Sequence, residues 1–126
     1  MKPLPVKAVD ISTREQIIGW YANVGNAHLV YITPPGSAML CSRPIVPSTV
    51  CACTGHRDEA GDLIYENDIV YDTFADEVGV VAWNAEDACF CVHYQGVVNT
   101  FDVIDSHDLR ILDSIFNNPY LTPWYK

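Results

Sequence analysis

Positive charge is what this sequence lacks most: seven Lys and Arg stand against sixteen Asp and Glu, for a net charge of −9. Grip on a nucleic-acid backbone needs clustered cations, so direct nucleic-acid binding is not expected, whereas a basic protein would suit this surface. No apolar run approaches the roughly 18 residues of a membrane span. The opening residues "MKPLPVKAVD" carry no continuous apolar core of a secretory signal. The expectation is therefore a soluble, cytoplasmic protein with no membrane contact. Recognised reaction motifs are missing too: there is no Walker loop, no H-E-x-x-H and no glycine-rich dinucleotide fingerprint. No cofactor is implied.

What is present is an ordinary globular composition, 49% apolar and 18% charged over 126 residues. That length fits one domain with a real core. Residues 1–15 hold two prolines and little periodicity, and read as a lead-in arm to a single β-rich domain over 16–126. "QIIGWYANVGNAHLVYIT" reads as a hairpin, with Gly25 available for a left-handed turn. Prolines at 34, 35, 44 and 47 mark a long surface loop with room for a short edge strand. "VGVVAWNAEDACFCVHY" is the clearest hairpin, turning at "NAED", and "VVNTFDVI" adds a strand after Gly96. The tail is ambiguous. Leu109, Leu112 and Phe116 at i, i+3 and i+7, with Ser106 as N-cap, fit a short helix, but "LRIL" fits a strand ending at Asp113 equally well.

Five cysteines (41, 51, 53, 89 and 91) form an odd set outside any secretory context, so free thiols are the simplest account. Two C-x-C pairs on paired strands could gather four sulfurs around zinc. The same segments, "VCACT" and "ACFCVHY", equally use Cys as a small buried apolar residue, and no metal site is assigned.

The stretch "TGHRDEAGDLIYENDIV", Thr54 to Val70, poses the central question: working carboxylates, or architecture? Asp58-Glu59-Ala60-Gly61 has the chemistry of a tight turn, with Asp58 bonding forward to backbone N–H groups. Asn67 tolerates a left-handed φ and marks a kink or bulge. These residues read as a bend in a small barrel. His107-Asp108 beside Ser106 says nothing about a triad, which assembles in space rather than in sequence. Catalytic residues are assigned to none, and the chain is read as a non-enzyme.

The same residues resemble the central signature of the YopX family of phage and prophage proteins, approximately T-G-L-x-D-x-x-G-x-x-I-Y-E-G-D-I-V. Thr54, Gly55, Asp58, Gly61, Ile64, Tyr65, Glu66, Asp68, Ile69 and Val70 match it. His56 departs where an apolar residue is usual, and Asn67 replaces a glycine. "IIGWY", "HLVYI", "IVPSTV", "VGVVAW" and "ILDSIFNNPYL" extend the likeness over roughly 16 to 121, with Asp113 where that family tends to have glycine. The resemblance implies a mainly β fold: a small SH3-like β-barrel with an added α+β portion that supports homo-oligomers. It implies no shared catalytic residues.

Aromatic faces with a nearby guanidinium could hold a planar base and a phosphate. Trp20, Tyr21, Arg43, Arg57 and Trp83 are the candidate ligand-binding residues. Three readings stay open. One is an oligomer that sequesters a small nucleotide-type ligand and so counteracts a host defence. The second is an acidic inhibitor occupying a basic, nucleic-acid-binding site on a host protein, and the third a phage structural or assembly accessory.

Overall fold

A computed structural model of the chain describes residues 4–33, 36 and 39–125. The fold is mainly β, with eleven strands in two antiparallel sheets; the helical pieces among the described residues are three short 3-10 turns. Contacts divide the chain into two compact units, Met1–Cys53 and Thr54–Lys126.

In the first unit, β1 (Val6–Val9), β2 (Gln16–Val24), β3 (Ala27–Ile32) and β4 (Cys41–Pro44) pair in the order β4-β3-β2-β1, and β5 (Cys51–Arg57) adds its first residues beside β1. The stretch expected as a lead-in arm thus contributes an interior strand. Four residues are too few for a readable period, yet Ala8 faces Ile17 in the pairing and lies in a core with Val30 and Ile45. Residues 1–3 of that arm, and Pro34 and Pro35 of the expected loop, lie outside the described residues. The β2–β3 hairpin turns at Gly25, φ 63°, as its sequence requires. Downstream, β4 is the short edge strand for which the proline-rich loop left room.

Asp10 ends β1 and is 1% exposed. Its Oδ1 accepts the N–H groups of Ser12 (2.7 Å) and Thr13 (3.0 Å). Its Oδ2 is buried 2.6 Å from Arg43 Nη2 but off-axis for a hydrogen bond, so ion pairing holds that oxygen.

In the second unit, β6 (Leu63–Tyr65) pairs with the rest of β5, and a five-stranded sheet runs in the order β10-β9-β8-β7-β11. Its strands are β7 (Asp68–Asp72), β8 (Glu77–Asn84), β9 (Cys89–Tyr94), β10 (Val97–Thr100) and β11 (Leu109–Ser114). One face of the sheet meets a core of Ile64, Val70, Val81, Val92 and Leu109, against which Phe101, Ile104 and Ile111 pack. On β8 four consecutive residues, Gly79 to Ala82, are buried, because the opposite face is covered as well. Gly79 is required there: a Cβ would sit 2.4 Å from Val92 Cγ1 and 3.2 Å from Tyr94 Cδ1.

The tail resolves in favour of the strand. β11 pairs with β7 and buries Leu109, while Leu112 and Phe116, the remaining members of the helical pattern, are exposed. Cross-strand hydrogen bonding to β7 overrides a helical spacing carried by only three residues. The short 3-10 turn Ser106–Asp108 before it is capped by Asp105, which accepts from His107 N, rather than by Ser106. The pairing shifts register between Ile111 and Asp113, a local irregularity at the position where Asp replaces the resembling family's glycine.

The Thr54–Val70 stretch is architecture. Asp58 is 2% exposed; its Oδ1 accepts Ala60 N (3.0 Å) and Asp62 N (2.9 Å), and its Oδ2 accepts Ile111 N (3.2 Å) on β11. Glu59 N donates to Leu109 O at 2.9 Å, so the turn is stitched along the outer edge of β11. Gly61 closes it at φ 87° with its N–H on Asp58 O. Asn67 takes φ 69°, as its turn demands, and Asp68 Oδ2 accepts Tyr65 N at 2.8 Å. Asp72 repeats the Asp58 pattern: Oδ1 accepts Phe74 N and Ala75 N, and Oδ2 accepts the Tyr94 hydroxyl at 2.6 Å. A hydrogen bond to a charged group stabilises by about 1.5–3 kcal/mol, so each of these carboxylates outweighs an ordinary turn contact.

These geometries give a pH dependence. The Thr13 and Ser12 N–H groups, with the Arg43 charge, hold the Asp10 carboxyl below its ordinary value. A depressed folded value means stability present above the unfolded value, about 4, and lost as pH falls through the folded one. Melting curves between pH 5 and pH 2 should show a midpoint that falls with acidification. Asp10→Asn should lower the midpoint at pH 7 and flatten that slope; an unchanged slope would contradict the Asp10 assignment.

Candidate functional site

The second unit carries an open cleft of about 820 Å³ at the end of β8 and β9, around the turn that joins them. Its position follows from the core pattern. Trp83 and Phe90 are cross-strand partners on the face that, further along, carries Val81 and Val92. At the hairpin end that face runs out of covering chain, so the aromatic pair stays at the surface and Trp83 is 48% exposed. The two rings meet edge to face, centroids 5.0 Å apart.

The other wall is a second ring pair. His56, on β5, stacks on Phe101, just after β10, at 4.5 Å with planes 9° apart. The flat His56 ring is covered on one side by Phe101. The result is a nearly parallel aromatic platform facing Trp83 and Phe90.

The rim is acidic. Asp87 lies in the β8–β9 turn, where Asn84 rather than an acid does the turn's work: Asn84 Oδ1 accepts Glu86 N (3.0 Å) and Asp87 N (3.2 Å). Asn84 Nδ2 also donates to Asp87 Oδ2 at 3.2 Å. On the other side the Thr100 hydroxyl donates to Asp102 Oδ1. Both carboxylates are exposed, and among the described residues neither forms an ion pair. Among the described residues no Lys or Arg lines the cleft. Cys89 reports the same field: burial first, then Asp87 and Asp102, push its thiol above the ordinary value.

Of the five residues singled out in the sequence, only Trp83 lies in this cleft. Arg57, on the exposed end of β5, commits Nη1 to Gly61 O at 2.7 Å. Trp20, Tyr21 and Arg43 belong to the first unit. Tyr21 and Arg43 flank buried Val30 in one cross-strand row, on the face opposite to Trp20. The Tyr21 hydroxyl shares a hydrogen bond with His28 Nδ1 (2.5 Å), and Arg43 is paired with Asp10. Trp20, 48% exposed, stands beside Tyr31 on the outer face. The structure thus assembles no aromatic–arginine grip from these five within either unit.

Sequence reading missed His56, Phe90, Phe101, Asp87 and Asp102. The available signals were the polar aromatic His56 within the turn-rich stretch and the "FD" pair closing the strand after Gly96. Cys51, Cys53 and Cys91 are buried, and none of the five cysteines is in a disulfide. Among the described residues no three His, Cys, Asp or Glu side chains converge as a metal site would require, and no helix is long and apolar enough to cross a membrane. Comparison with models of known protein families and with curated protein sequences returns no match.

The acidic field of the cleft is open to measurement through Cys89. Alkylation by iodoacetamide at pH 8, read by peptide mapping, should proceed several-fold more slowly at Cys89 than in an unfolded peptide, because the thiolate is the reacting form. Asp87→Asn and Asp102→Asn should each speed it. Reaction at the unfolded-peptide rate would contradict the arrangement.

Proposed function

We propose that the protein acts by binding, not catalysis, and that its cleft receives a cationic group from a basic partner protein. The observation that carries this reading is the cleft's composition: two aromatic pairs as walls, Asp87 and Asp102 at the rim, and no Lys or Arg in the lining among the described residues. Ring faces attract cations through their quadrupole, and unpaired carboxylates complement them. The net charge of −9 acts in the same direction at longer range, raising the encounter rate with a basic surface. The volume lies within the range of ordinary ligand sites.

The competing reading, sequestration of a nucleotide-type ligand, draws support from the same rings, on which a base could stack. The two carboxylates oppose its phosphates, and the arginines expected to hold them are engaged elsewhere. The resemblance to the YopX family supplies the remainder of the proposal. It comprises a phage-derived accessory working in the cytoplasm of an infected bacterium, an SH3-like barrel with an added α+β portion, assembly as a homo-oligomer, and a partner belonging to a host system.

The test is an NMR titration of the intact protein with a mixed Lys/Arg oligopeptide and, separately, with a panel of mono-, di- and cyclic nucleotides. The expected outcome is saturable shifts at the Trp83 indole and at residues 87–90 and 100–102 with the peptide, weakening as salt is raised to roughly 0.5 M. Saturable nucleotide shifts with no response to the peptide would overturn the proposal in favour of sequestration.

A further inference from the structure

We infer that the cleft is built for a guanidinium rather than an ammonium group, so that its occupant is an arginine side chain presented by the basic partner. This rests on the cationic-partner reading above and makes it specific. A Lys ammonium is a compact, strongly hydrated point charge and gains little from a flat surface. A guanidinium is planar, weakly hydrated and able to stack while its edge donates hydrogen bonds in a fork. The cleft supplies both requirements.

The platform is the exposed His56 ring, backed at 4.5 Å and 9° from parallel by Phe101, which itself packs against the core. Trp83, about half exposed, offers further ring surface on the opposite wall. A plane stacked between these walls directs its N–H edges toward the rim, where Asp87 and Asp102 stand. Each rim carboxylate already accepts from one neutral donor, Asn84 Nδ2 or the Thr100 hydroxyl. Those contacts fix carboxylate orientation without consuming the negative charge, which is how a charge-assisted contact is pre-organised. The fork geometry of the donor therefore matters, not only its charge.

The experiment compares two peptides of equal length and charge, one carrying arginines and the other lysines at the same positions, titrated by NMR into the intact protein. Three variants accompany the wild type. Asp102→Asn removes one rim charge, Trp83→Leu removes one wall, and Glu15→Gln removes an exposed charge from the other unit. Amide spectra confirm that each is folded, and all three sites are at the surface. The arginine peptide should bind about tenfold more tightly than the lysine peptide, a difference of about 1.4 kcal/mol. Asp102→Asn and Trp83→Leu should each erase most of that ratio, and Glu15→Gln should leave it unchanged. Equal affinity for the two peptides, with shifts still centred on the cleft, would overturn the guanidinium inference while leaving the cationic-partner reading standing. Binding of neither peptide would overturn both. A ratio lowered equally by Glu15→Gln and Asp102→Asn would assign the preference to overall charge and overturn the inference as well.

Discussion

A buried aspartate that holds a turn with one oxygen and a distant element with the other is the contact on which this structure depends. Asp10, Asp58 and Asp72 each accept two N–H groups of the turn that follows them. The second oxygen then reaches Arg43 on β4, the Ile111 N–H on β11, or the Tyr94 hydroxyl on β9. A chain of many short strands must reverse direction often, and each reversal strands N–H groups that cannot join a ladder. A carboxylate answers two of them at once and ties the reversal to the sheet. Burying such a charge is costly unless it is fully engaged, which explains why these three are at once among the most buried polar groups and among the most heavily bonded.

The same device in neutral form shapes the site. At the β8–β9 turn the capping residue is Asn84, which accepts two turn N–H groups as the aspartates do but carries no charge. Asp87 is thereby left at the surface as an unpaired acid, and Asp102 stands on the other side of the cleft. Asp10, Asp58 and Asp72 are spent inside as turn clasps, whereas Asp87 and Asp102 are left outside as field. The excess of acid over base is read correctly only when the two are separated, because the buried clasps contribute little to what a partner meets.

Much of the fold was legible because its local chemistry is strong. The hairpins at Gly25 and at residues 85–88 follow from turn residues between alternating β-formers, and the Asp58–Gly61 turn and the left-handed Asn67 from residue types that accept those backbone angles at little cost. One element escaped, and another was left open between helix and strand. β1 is four residues long and preceded by two prolines, so it has no period of its own; its place comes from pairing with β2 and β5. β11 carries apolar residues at a helical spacing, and only its partner β7 decides the matter. The site escaped for a different reason. Its two walls come from residues far apart in sequence, His56 with Phe101 and Trp83 with Phe90, brought together by strand order alone. Exposed aromatics and arginines were visible one at a time, but whether an arginine is available depends on partners such as Asp10 and Gly61 O that no local pattern reveals.

The most direct test of the account is native-state amide hydrogen exchange at the turn positions Ser12, Thr13, Ala60, Asp62, Phe74 and Ala75. Turn amides of this kind, open to water, exchange at close to unfolded-chain rates. If the aspartates clasp them as described, all six should be protected well above that level, and those on Asp58 should open together with the Ile111 amide that shares its carboxylate. Exchange of these amides at unfolded-chain rates, with the neighbouring strands still protected, would show that the carboxylates do not hold the turns, and the architectural account of the Thr54–Val70 stretch would fail with it.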